Sequence, residues 1–215
     1  MTNNVVELCG TTAGRPEFSH IGGGENYYTF PLEIERLSGY VDRVNIIARE
    51  DLLENLEVDG STRLVVIGEL RSYNNKRGDG GSRLVITVLA KELYFADDED
   101  QNIVRLSGVI CKAPNLRKTP MGRQICDIML AVNRRYGRSD YLPCIAWGRL
   151  AETAAVLSVG DNLSFEGRLQ SRKYLKSEND TVMERTAFEV SIVAFFTEGA
   201  DEQESPDCSE DTQEL

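Results

Sequence analysis

Asn4-Val5-Val6-Glu7-Leu8-Cys9-Gly10 returns about 99 residues later as Asn102-Ile103-Val104-Arg105-Leu106-Ser107-Gly108. Gly68-Glu69-Leu70-Arg71-Ser72 returns as Gly167-Arg168-Leu169-Gln170-Ser171, and between them Val44-Asn45-Ile46-Ile47-Ala48 falls against Leu142-Pro143-Cys144-Ile145-Ala146. Elements that recur in the same order at near-equal separation are the mark of an internal repeat. The chain reads as two copies of one domain, 1–95 and 102–197. An acidic linker over 96–101 joins them, and a tail over 198–215 follows.

Working outward, each copy shows a β-β-β-α-β-β pattern. In the second copy, strands are predicted near Ile103–Cys111, Gln124–Asn133, Asp140–Trp147, Asn162–Ser171 and Arg185–Phe196. The last alternates, with Phe188, Val190, Ile192, Ala194 and Phe196 on one face. A short helix follows the third strand, with Leu150, Ala154 and Leu157 on one side and Gly160 beyond its end. The first copy has Leu52, Leu53 and Leu56 before Gly60. Gly108 and Gly167 lie inside strands, where a small barrel must bend. Hairpin loops are predicted at Lys76–Gly81 and Lys176–Asp180. The expected fold is all-β: two tandem OB-fold, five-stranded Greek-key barrels, each with a short helix. The tail, Gly199–Leu215, is rich in Glu, Asp, Ser and Gln and is expected to be disordered.

The net charge of -11 over 215 residues conceals a gradient. Residues 1–99 carry -7, residues 102–197 carry +5, and residues 198–215 carry -8. Only the middle segment can supply an electrostatic footprint for nucleic acid. Within it, Ala131–Glu152 sets Tyr136, Tyr141 and Trp147 among Arg134, Arg135, Arg138 and Arg149. Rings that stack on bases, mixed with guanidinium groups that neutralise phosphates, are what binding of a single strand needs.

Other classes are poorly supported. The chain has no GxxxxGK[ST], no HExxH and no Cys/His zinc spacing, so no enzyme, cofactor or metal is expected. The five cysteines (Cys9, Cys111, Cys126, Cys144 and Cys208) form no CxxC pair and are expected as buried thiols. The lone His20 stands beside three glycines and is expected in a loop. Met1-Thr2-Asn3-Asn4 does not resemble a secretory leader, and no apolar run approaches the ~20 residues of a membrane span. A cytoplasmic, nucleoid-associated protein with no membrane contact is expected.

Strand parity sorts the binding candidates. Leu142, Cys144 and Ala146 point into the second barrel, leaving Tyr141, Pro143, Ile145 and Trp147 outside. The competing reading has Trp147 cap the core beside the helix, and Tyr136 stand in a merely solvated basic loop. In the first copy, Val44, Ile46 and Ala48 point inward, so Arg43 takes the place of Tyr141 and Arg49 that of Trp147. The stacking rings are gone there. A weaker share of binding is expected from Arg43, Arg49 and Tyr73.

The second copy resembles the bacterial single-stranded DNA-binding protein family. The resemblance rests on Asn102–Gly108, Pro114–Gly122, Leu130–Arg134, Ile145–Glu152 and Glu166–Tyr174; the first copy matches weakly. It implies an OB-fold that wraps single-stranded DNA over aromatic platforms, here Tyr136, Tyr141, Trp147 and Tyr174. It implies basic contacts from Arg117, Arg149, Arg172 and Lys173; charge and placement add Arg105, Arg123, Arg134, Arg135 and Arg138. It further implies a homodimer, which brings four OB-folds together. Family members often end in a Pro-Phe tip that recruits replication and repair proteins; this chain ends Thr212-Gln213-Glu214-Leu215. The leading expectation is sequence-nonspecific binding and protection of single-stranded DNA in replication, recombination and repair. The alternative is an OB-fold assembly module of a replication, plasmid or phage complex with weak DNA affinity.

Overall fold

A computed structural model describes residues 3–76, 82–178 and 181–196; side chains at 76, 82–83, 174–178 and 181–185 lie outside that description. The predicted loop tips and the predicted tail therefore fall largely or wholly outside the described residues. The strands are β1 (Asn4–Thr12), β2 (Glu17–Gly22), β3 (Glu25–Glu35), β4 (Val41–Arg49), β5 (Arg63–Lys76) and β6 (Ser82–Phe95). The second half adds β7 (Gln101–Lys118), β8 (Gln124–Asn133), β9 (Ser139–Trp147), α1 (Arg149–Ala155), β10 (Asn162–Glu178) and β11 (Thr181–Phe195).

Period-two alternation closes these strands into two barrels. In the second, β7, β8 and β9 pair antiparallel in turn, β9 runs parallel to β11 with Val190 facing Cys144, and β10 returns to β7. The first repeats the circuit, with Val88 of β6 facing Ile46 of β4 in parallel and β1 reaching β3 at Thr11 and Thr12. This is the OB-fold twice over. Leu130, Val132, Leu142, Cys144, Ala146 and Phe165 fill the second core; Phe30, Leu32, Val44, Ile46 and Ala48 fill the first. Gly108 allows β7 to bend over β8: a Cβ there would lie 2.5 Å from the Ala131 carbonyl oxygen.

Three local differences from the sequence reading have physical causes. A bulge at Glu166/Gly167 shifts the β10–β11 register, so Ala194 faces Glu166 while Ile192 faces Gly167. Beyond it the inward parity passes to Phe195, which packs on the core, and Phe196 is exposed. The helix of the first barrel is a single 3-10 turn, Glu50–Leu52. His20, expected in a loop, stands in β2 opposite Tyr27, and the two rings stack at 4.9 Å. Cys9, Cys126 and Cys144 are buried free thiols and Cys111 is half-buried; burial pushes the Cys144 thiol up.

The barrels share one eleven-stranded sheet through antiparallel pairing of β1 with β7. Val6 faces Val104, its own repeat counterpart, so a pseudo-twofold axis passes through that pair. The symmetry extends to hydrogen bonding. Asn4 exchanges two bonds of 2.9 Å with the Leu70 backbone, and Asn102 does the same with Leu169 at 2.7 and 2.9 Å.

Each barrel also inserts a wholly buried carboxylate into the other. Asp42 accepts from Arg36 Nε and Nη2 at 2.6 Å, and from Ser171 N and Oγ at 2.7 and 2.8 Å. Asp140 mirrors it, accepting from Arg134 Nε and Ser72 N at 2.5 Å, and from Arg71 Nη1 at 3.3 Å. Arg134 Nη2 donates to the Ser72 carbonyl at 3.0 Å, as Arg36 Nη2 does to that of Ser171 at 3.2 Å. Buried charges persist where partners satisfy their remaining hydrogen bonds, and this reciprocal clasp does so on both sides. The segment before β7 is tied down as well: Arg63 donates to the Asp98 carbonyl and pairs with Asp100 at 2.6 Å.

Candidate nucleic-acid interface

The outer face of the second barrel is laid out in rows across β9, β8 and β7. Trp147 faces Ile125, which faces Arg117; Tyr141 faces Ala131, which faces Val109. Between these rows, Pro143 faces Met129 and Lys112, while Ile145 faces Asp127 and Asn115. Tyr141 is 52% and Trp147 38% exposed. Ile125 and Ile145 lie on the same side but are buried, forming an apolar floor beneath these groups.

Trp147 borders a pocket of about 460 Å³ lined by Lys118, Gly122, Arg123, Gln124 and Gly148. Its exposed ring and this basic surround argue against a purely core-capping role. Tyr141 borders a second hollow of about 480 Å³, with Tyr73, Lys112 and Met129. Tyr136 stands apart at the β8–β9 hairpin tip, 98% exposed, with φ 66 and ψ 33. That left-handed conformation is rare for a bulky side chain and carries strain.

The cations separate into two groups. Arg123, Arg135, Arg138 and Arg149 are exposed, with no side-chain ion pair among the described residues. Lys112, Lys118 and Arg168 join them on geometry. Bulges at Ile110/Lys112 and Lys112/Asn115 break the parity of β7, so the sequence did not reveal where its two lysines point.

The other cations hold partners. Arg117 grips Asp127 through Nε at 2.5 Å and Nη2 at 3.0 Å. Arg105 bridges Glu7 at 2.7 Å and Glu166 at 3.0 Å beside the pseudo-twofold axis. Arg134 belongs to the Asp140 clasp. Arg172 and Lys173 are exposed and partnered. Tyr174 lies in β10 opposite Arg185, but its side chain is outside the described residues.

Two acids on this face escaped the sequence reading. Asp127 lies in the middle row, and Glu189 of β11 lies opposite Gln170. Burial pushes the Glu189 carboxyl up, Arg172 draws it down, and Asp127 raises it again.

The first barrel presents a different surface. Arg43 lies 3.9 Å from Glu33, and Arg49 donates to Asp51 Oδ1 at 2.9 Å, so neither guanidinium is free. Tyr28 donates to Glu50 at 2.9 Å. Tyr73 is 50% exposed at the boundary between the barrels. Among the described residues, no group of three or more His, Cys, Asp or Glu side chains is placed to hold a metal ion. No helix among them is long and apolar enough to cross a membrane.

Residues 101–195 match the Single-strand binding protein family. A single-stranded DNA-binding protein of Thermus aquaticus is 29% identical over 213 residues, covering 82% of this chain and 78% of that protein. Single-stranded DNA-binding protein 2 of Listeria innocua is 36% identical over 88 residues, 38% of this chain and 55% of the relative. The crystal structure of the wild-type Thermus aquaticus protein superimposes with a TM-score of 0.72 at 24% identity, covering 94% of this chain and 96% of that one. This last likeness concerns the fold.

Proposed function

We propose that this chain, whose second barrel matches the single-strand binding protein family, binds single-stranded DNA without sequence preference, chiefly on that barrel's outer face. The observation that carries the reading is the pair Tyr141 and Trp147, exposed on one sheet face above a buried apolar floor. Bases of an extended strand stack on the two rings, while free cations around them neutralise phosphates. We assign the contacts to Trp147, Tyr141, Tyr136 and Tyr174, with Arg123, Arg135, Arg138, Arg149, Lys112 and Lys118. Arg117, Arg172 and Lys173 contribute by exchanging their internal partners for phosphate. Arg105 and Arg134 hold the barrels together and are left out of the binding set.

The role is non-catalytic: covering and protecting single strands in replication, recombination and repair, in the cytoplasm. Two chains assembling as a homodimer bring four barrels to one strand; light scattering tests that assembly. The decisive measurement is titration with oligothymidylate. Trp147 is the single tryptophan, so its fluorescence reports one defined place on the proposed face. Saturable quenching that weakens steeply with salt is expected. Absence of both quenching and a gel shift at low salt sinks the proposal.

A further inference from the structure

A cleft of about 730 Å³ lies between the barrels, outside the rows that carry Trp147. Tyr27 and Tyr73 wall it from the first barrel, Arg134 and Arg138 from the second, and Ile47 and Leu89 give it apolar surface. Tyr73 follows Ser72, whose N–H is held by Asp140, so the clasp fixes this ring's strand against the second barrel. Arg138, at the hairpin beside it, is exposed with no side-chain ion pair among the described residues. Thr87 also lines the cleft and is only 3% exposed. Its hydroxyl is the one buried side-chain polar atom among the described residues with no hydrogen-bond partner. A buried hydroxyl left unpaired is costly, and such an orphan calls for a partner from elsewhere.

Aromatic walls, apolar lining, an orphan hydroxyl and a free cation match the parts of one nucleotide: base faces, base edge and phosphate. We propose that this cleft holds a nucleotide of a single strand passing from the second barrel onto the first. Its base stacks on Tyr73, its polar edge bonds the Thr87 hydroxyl, and its phosphate meets Arg138. The inference rests on single-strand binding by the second barrel and adds a site which that barrel alone does not contain.

Wild type, Tyr73→Ala and Thr87→Val are titrated with two oligothymidylates. One has about 8 nucleotides, within the span of one OB-fold; the other is roughly four times as long and reaches the cleft. With the short strand, Thr87→Val quenches Trp147 as wild type does. With the long strand, Tyr73→Ala binds about tenfold more weakly, the size of one lost stack. Thr87→Val binds about threefold more weakly, the size of one lost hydrogen bond. Thr87→Val also unfolds at a higher temperature than wild type when free, because the orphan hydroxyl is gone. Photocrosslinking of a long strand bearing 5-iodouracil marks Tyr73 or Tyr27. Wild-type affinity for the long strand in both variants, with short-strand quenching intact, overturns the cleft site. Loss of quenching by both strands in the wild type overturns the second-barrel reading instead.

Discussion

Trp147 and Tyr141 owe their exposure to strand parity, which the sequence already displays. The small apolar residues Leu142, Cys144 and Ala146 occupy the interior, so the rings between and beyond them must turn out. Trp147→Ala and Tyr141→Ala are each expected to weaken DNA binding by about 1–3 kcal/mol, measured by competition with a labelled oligonucleotide. Tyr136 trades stability for reach. Tyr136→Gly removes the penalty of its left-handed backbone, so the free protein gains about 1 kcal/mol in denaturant unfolding while DNA affinity falls. The acids Asp127 and Glu189 were illegible because a local pattern cannot reveal which strands become neighbours. Glu189 has a raised folded-state pKa, so its charged form opposes folding above that pKa. This cost fades as pH falls through the raised value and vanishes below the ordinary glutamate pKa. Glu189→Gln is therefore expected to raise neutral-pH stability, flatten that acid-side gain, and strengthen DNA binding. Weaker DNA binding by this variant would contradict the placement of Glu189 within the interface.

The strand boundaries of β8 and β9 were close to those read from the sequence, because both alternate cleanly between turn residues. β11 was legible only as far as its bulge, since parity cannot cross an inserted residue. The clasp elements were not legible at all. Asp42 and Asp140 look like ordinary polar strand residues until the other barrel supplies Ser171 and Ser72. Asp140→Ala leaves the Arg134 guanidinium without its carboxylate and the Ser72 N–H without an acceptor. A loss of about 3–5 kcal/mol in equilibrium unfolding is expected. The pairing of β1 with β7 has a gentler determinant. Arg105 reaches Glu7, which occupies the corresponding place in the other copy. Pairing two first barrels or two second barrels would instead set like charges together. Glu7→Arg is expected to cost about 1 kcal/mol or less, as a partly exposed pair should. Exchanging both residues, Glu7→Arg with Arg105→Glu, is expected to recover only part of that loss by thermal unfolding, because the new carboxylate at 105 stands beside Glu166.

At the scale of the whole molecule, the proposed binding of a polyanion by an acidic chain rests on exposed cations gathered on one barrel. Six of them, Lys112, Lys118, Arg123, Arg135, Arg138 and Arg149, surround the proposed face. Neutralising about six phosphates gives a slope near -4 in a plot of log affinity against log salt, at about 0.7 per phosphate. A slope near zero in such a titration would contradict phosphate contact as a source of affinity. The axis through Val6 and Val104 has a different consequence. If the halves were identical, a strand entering from the left and one entering from the right would be the same event. Here one half offers Tyr141 and Trp147 where the other offers ion-paired Arg43 and Arg49. A nucleic acid has chemically distinct 5′ and 3′ ends, so on the proposed face this broken symmetry is expected to give a bound strand one preferred polarity across the two barrels.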